Sequence, residues 1–182
     1  MSVFDYLSVL FSVVLGLALT QVLQGFRSLL LARKRVIFFW PAAIWPVLAA
    51  FIVIQVWWSM FGMAEIRHWT FGMYATVMLQ ITIIYLAAGQ VIPDIPAEGP
   101  VDMRANYYEH AQLFFALLAA TILSTLLKDF VTLGHIITGT NALYLGSYFA
   151  LSLGAAFVRA NWYHLALAPL SVVILALNTF LT

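Results

Sequence analysis

The chain contains no cysteine, which removes disulfides, thiolate metal sites and cysteine nucleophiles in one step. Charge is nearly as scarce. Only 8% of the residues are charged against 64% hydrophobic, with a mean hydropathy of +1.00, whereas a soluble domain carries roughly 25% charged residues. That balance excludes a water-soluble fold. The net charge of +1 offers nothing to nucleic acid or another polyanion. Glycine-rich phosphate loops, a glycine-framed nucleophilic serine and histidines at the i, i+4 spacing of a zinc protease are also missing. No catalytic or metal-binding constellation is left, so an enzyme is not expected.

What the chain has instead is long apolar runs. A bilayer-spanning helix needs about 20 apolar residues, and six stretches qualify: 3–23, 36–60, 70–92, 107–127, 131–158 and 162–181. They are apolar on all sides, unlike the alternating segments of about 10 residues in a membrane barrel. The expected architecture is a single all-α, polytopic transmembrane bundle of six spans over residues 1–182. The first run opens "MSVFDY", with Asp5 and no basic leader, and no small-x-small cleavage site follows it. It reads as a retained helix rather than a signal peptide.

Orientation follows from the stretch "SLLLARKRVIFFW", where Arg33, Lys34 and Arg35 stand between two apolar runs. Cytoplasmic loops collect Lys and Arg. With that loop inside, Arg27, Arg33, Lys34, Arg35, Arg104 and Arg159 are cytoplasmic, and Arg67 and Lys128 are external. Both termini are then on the non-cytoplasmic side. Arg33, Lys34 and Arg35 read as a topology anchor, since lipid-binding clusters usually hold 4 to 8 basic residues. Trp57, Trp58 and Trp69 fall at the expected outer boundary and Trp40, Trp162 and Tyr163 at the inner one, as an aromatic belt would. Pro46 and Pro169 predict bends in the second and sixth spans. The loop "PDIPAEGPVDMRANYYEH" carries Asp94, Glu98, Asp102 and Glu109, with Asp102 placed to cap the fourth helix.

The segments "FDYLSVLFSVVLGLALTQVLQG" and "VIPDIPAEGPVDMRANYYEH" resemble parts of small, uncharacterised multi-span proteins of bacterial genomes. The resemblance implies a bacterial inner membrane and carries no activity and no site residue.

Helices approach closely in lipid through small residues four apart. Such ladders occur at Ser8, Ser12, Gly16 and Thr20, at Ala116, Ala120 and Ser124, and at Ala142, Gly146, Ala150 and Gly154. They predict a tight bundle centre or a homo-oligomer interface. Asp5, Gln24 and Arg27 extend the first ladder into a polar stripe from one boundary to the other, which is also what one wall of a hydrated path would need. Polar groups inside the other spans, including Gln55, Gln80, Thr121, Thr125 and Asn141, must find partners or water. The favoured function is therefore a channel or transporter for a small solute or ion. The alternative is a non-transporting assembly or anchoring subunit. A third reading pairs His68 with His135 and His110 with His164 as axial ligands of a b-type haem protein. All four histidines stand at expected helix ends rather than in a bundle interior, so no cofactor is the primary expectation.

The charge bias makes a direct prediction. A reporter active only outside the cytoplasm should be active when fused after Thr182 and silent when fused at Arg35; the opposite pattern inverts the topology.

Overall fold

A computed structural model describes residues 2–92, 95–96, 98–135 and 138–181. Pro93 and Asp94 of the acidic loop, Ile136 and Ile137 of the expected fifth span, and Thr182 lie outside the described residues. In chain order the elements are α1 (Val3–Leu31), β1 (Val36–Ile37), α2 (Trp40–Ser59), α3 (Phe71–Gln90), β2 (Val101–Asp102), α4 (Met103–Leu133), α5 (Thr140–Phe157) and α6 (Asn161–Leu181). A 3-10 turn, Met60–Glu65, extends α2.

The helix ends have local causes. Ser2 and Asp5 form a reciprocal capping box, with Asp5 N to Ser2 Oγ at 3.0 Å and Ser2 N to Asp5 Oδ2 at 2.6 Å. Asp5 is thus an N-terminal cap before it is part of any stripe. Nothing at Gln24 or Arg27 stops a helix, so α1 runs on to Leu31, beyond the expected end at residue 23. Asp102 caps α4 as its position predicts, accepting from Arg104 N at 2.9 Å and Ala105 N at 3.1 Å. The larger correction concerns the spans expected at 107–127 and 131–158. Lys128 and Asp129 do not end a helix; Gly134 does, at φ +74°, with its N–H on Phe130 O at 3.0 Å. α4 therefore absorbs the start of the expected fifth span, and α5 begins only at Thr140.

Five segments are long and apolar enough to cross a bilayer: α1, α2 with its 3-10 extension, α3, α4 and α6. α5, with 18 residues, is the shortest helix and the one whose sequence is richest in small and hydroxyl side chains. Many large apolar side chains point outward, Leu17, Trp58, Leu123, Trp162 and Leu177 among them. In water such a surface would aggregate. This is a multi-pass integral membrane protein, and those side chains meet lipid.

Two packed cores share α2. On one side, Phe11, Leu15, Ala18 and Val22 of α1 meet Val77, Ile81, Ile84 and Ala88 of α3. On the other, Trp45 and Leu48 of α2 meet Phe114, Phe115 and Leu118 of α4, with Ala155 and Ala156 of α5 and Leu167 and Ala168 of α6. α4 lies against α2, α3 and α5 and is the most buried of the spanning helices. The loops at the Arg35 end are tied together. Val36 and Val101 pair in a two-residue parallel bridge, and the Arg35 guanidinium donates to Gly99 O at 2.6 Å and Pro96 O at 3.1 Å.

The small-residue ladders do not make these contacts. A side chain added at Gly16 or Gly146 would meet nothing within 4 Å, and Ser12, Thr20, Ala116 and Ala150 are exposed on the protomer. Ser124 is buried, and Gly154 is covered by the Tyr163 ring. Outside the ladders, Gly25 also marks a close approach, where a Cβ would stand 2.7 Å from Ile92. Gly25→Leu should therefore lower the stability of purified protein by about 1–3 kcal/mol, read by unfolding in mixed micelles. Gly16→Leu should leave the monomer's stability within about 0.5 kcal/mol in the same assay, and a loss confined to assembled protein would place the α1 stripe at a contact between copies.

Candidate functional site

A helix presents residues three and four apart on one face. On α4 that face carries Thr121, Thr125, Lys128 and Thr132, and all four line a cavity of about 500 Å³. Gln55 and Ser59 of α2, Gln80 of α3, Asn141, Tyr144 and Tyr148 of α5 and Asn178 of α6 complete its polar wall. This volume lies within the range of about 300–1,000 Å³ typical of ligand pockets. Gln80 is halfway along the 20-residue α3, and Thr132 and Thr121 are separated by about 17 Å of helix. The cavity is thus a vestibule at the Lys128 end that reaches the middle of the bundle.

Its charges are a matched pair. Lys128 Nζ stands 3.0 Å from an Asp129 carboxylate oxygen, with side chains 9% and 16% exposed. Adjacent residues on a helix diverge by about 100° and do not face each other. Both side chains bend into the same space to pair. An isolated charge in the bilayer interior costs several kcal/mol, and here the partner and the polar wall offset it. This is the sole ion pair among the described residues.

Most hydroxyls in the spans are satisfied within their own helix. Thr121, Thr125 and Thr132 donate to the carbonyls of Leu117, Thr121 and Lys128 at 2.9, 2.9 and 2.8 Å. With its proton so used, Thr125 Oγ1 accepts from Gln80 Nε2 at 2.7 Å, and this orients the Gln80 amide. The Gln80 Oε1 acceptor is left buried and without a donor, on a residue 2% exposed. Gln55 Nε2 reaches Thr179 Oγ1 at 3.2 Å and Asn178 Oδ1 at 3.4 Å.

The opposite half of the bundle is filled. Trp45 meets Phe114 and Phe115 edge to face at 5.6 and 4.8 Å between centroids. His164, 1% exposed, is ringed by Tyr107, Tyr108, Phe115 and Tyr163. Its Nε2–H donates to Val158 O at 2.8 Å, so Nδ1 accepts from the Tyr107 hydroxyl at 2.9 Å. Neither nitrogen has a lone pair for iron. Of the other histidines raised as haem ligands, His110 is inside α4 with Nδ1 on Asn106 O at 3.0 Å. His68 and His135 are exposed. No group of three or more metal-ligating side chains occurs among the described residues.

Between vestibule and aromatic half the packing is not continuous. A void of about 10 Å³ shares Ile52, Leu118 and Thr121 with the vestibule, and Phe114 with a third cavity of about 30 Å³. That third cavity lies at the Arg35 end against Val101, Tyr107 and His110. The three succeed one another along α4, the smallest lined by Phe114, Leu118 and Thr121.

The sequence-marked residues fall on both sides of this picture. Ser124 is buried in α4. In the α1 stripe, Ser12, Gly16, Thr20, Gln24 and Arg27 face away from the other helices, as does Asp5, while Ser8 is half-buried. Ser8, Ser12 and Thr20 hydroxyls donate to Asp5 O, Ser8 O and Gly16 O. Of the anchor, Arg33 and Lys34 are exposed and Arg35 is spent on the loop. Sequence reasoning placed Lys128 and Asp129 at a helix end and so missed the vestibule. The 4, 3, 4 spacing of Thr121, Thr125, Lys128 and Thr132 was the available signal.

If the pair is coupled as its geometry implies, a double-mutant cycle of Lys128→Met and Asp129→Asn should show an interaction of about 0.5–3 kcal/mol. Lys128→Met alone should be the least stable form, because it leaves a carboxylate unpaired. Additive effects would show the two charges separately hydrated. In comparisons with known proteins, no family model matches the chain, and neither a curated protein nor a solved structure matches it.

Proposed function

We propose that this protein carries a small polar solute across the membrane along α4, between α2 and α3. The observation that supports this reading is the succession of three cavities along α4, large and polar at the Lys128 end and smallest between Leu118 and Phe114. An ionisable pair inside a bundle marks a substrate or ion pathway in membrane proteins, and this pair stands in the wide part. In this reading all six helices cross the bilayer, because α5 supplies Asn141, Tyr144 and Tyr148 to the vestibule. With the basic residues of the Arg35 end on the cytoplasmic side, as the charge bias favours, the vestibule opens to the outside and both termini lie there. The expected setting is a bacterial inner membrane.

The path is moved from the α1 stripe to α4. Facing outward, the small faces of α1 and α5 fit a contact between copies of the chain, which suits close packing of Gly16 or Gly146. A second reading, a solute-binding subunit that does not transport, draws on the aromatic packing that closes the Arg35 half.

Osmotic swelling of vesicles containing the protein, with glycine, leucine, urea and glycerol as test solutes, separates these readings. Leu118→Ala should raise flux of at least one solute several-fold, Leu118→Trp should abolish it, and Gly16→Leu should leave flux per assembled protein unchanged. Equal flux in the two Leu118 variants would remove the path from α4. Absence of flux in every form, with solute still bound, would favour the binding subunit.

A further inference from the structure

The vestibule's chemistry narrows the class of solute, granted the reading of this cavity as the solute site. Its two charges are equal and opposite and 3.0 Å apart, so the site gains nothing from a simple cation or a simple anion, which would satisfy one partner and strand the other. A molecule carrying both charges replaces the pair with two new pairs. Lys128 has three N–H donors and one charged partner among the described residues, Asp129.

One turn deeper, the same wall carries an unmet acceptor. Asp129 is four residues beyond Thr125, about 6 Å along the helix, and Thr125 holds the Gln80 amide at 2.7 Å. Because the Thr125 proton goes to Thr121 O, the carbonyl of that amide is the end without a partner. A buried acceptor left unmade is destabilising, and a ligand N–H would recover that loss. Beside the polar groups of α2, α5 and α6, the wall has an apolar stretch of Ile52, Leu118, Ile122, Leu145 and Leu175.

We infer that the vestibule binds a zwitterion with an apolar body, an apolar amino acid or a short apolar peptide. Its carboxylate pairs with Lys128 and its ammonium with Asp129, and a rotation of the Gln80 side chain, whose Oε1 is covered by protein, brings that acceptor to an ammonium N–H. The apolar body rests on the leucine and isoleucine wall.

The test is equilibrium binding to the whole protein in nanodiscs, by calorimetry, with four probes. L-Leucine and the dipeptide leucyl-leucine carry both charges, 4-methylpentanoate lacks the ammonium, and 3-methylbutylamine lacks the carboxylate. At least one zwitterion should bind saturably and at least tenfold more tightly than either singly charged probe. The tighter zwitterion tells amino acid from peptide. Gln80→Leu should weaken it about tenfold. The doubly neutral Lys128→Met, Asp129→Asn protein leaves no stranded charge, and it should lose the preference for the zwitterion while keeping its elution volume. Either singly charged probe matching the zwitterions, or no zwitterion binding, overturns the assignment. Binding is read without flux: zwitterion binding with no flux upholds this site and removes transport, and flux of another solute without zwitterion binding does the reverse.

Discussion

A polar group inside a bilayer has no water to fall back on, and this constraint orders the molecule. The chain meets it first by the cheapest local means. Hydroxyls of Ser8, Ser12, Thr20, Thr121, Thr125, Thr132 and Thr179 donate to carbonyls three or four residues earlier, which leaves their helices free to face lipid or one another. The ionised groups that cannot be met this way lie together, although Trp45 Nε1 and Asn106 Oδ1 are also buried without a partner at the Arg35 end. Lys128, Asp129, Gln80 and Gln55 all line the vestibule. Polar residues and open space occur together because each would be costly without the other.

The two halves of the bundle answer the constraint differently. At the Arg35 end, polar groups are consumed in specific contacts: His164 by Tyr107 and Val158, Tyr108 by Asn161 at 3.0 Å, and Arg35 by two loop carbonyls. Edge-to-face aromatic contacts then fill the space, which rigidifies this half. At the Lys128 end α2 gives way to a 3-10 turn and α5 starts late, after Gly134 and Gly139 at positive φ. Phe4, Phe11, Trp69, Tyr74 and Met63 pack on the α1–α3 side of that end, and the side toward α4, α5 and α6 stays open. α4 passes through both halves, so any change that couples them has to act along it.

How much of this was legible before the fold was known depended on the range of the interaction. The apolar runs and the cap at Asp102 are local properties, and the structure has both. Boundaries failed where a residue type was taken as a stop signal. Lys128 and Asp129 look like a span edge in a hydropathy reading, yet a helix continues through charge and ends on a glycine in the left-handed region. The ladders on α1 and α5 were visible as patterns, but spacing says which residues share a face and not what lies opposite that face.

By itself, then, the sequence determined the solvent, the helical class, most helix starts and the charge bias of the loops, because each follows from side-chain chemistry within a turn or two. Only the tertiary structure decided which face of each helix is buried. It turned Thr121, Thr125, Lys128 and Thr132 inward and Gly16 and Gly146 outward, and it brought Gln80, 45 residues away in the chain, onto Thr125. In lipid both faces of a helix are apolar enough to be exposed, so hydrophobicity does not choose between them; the fit of side chains from distant helices does.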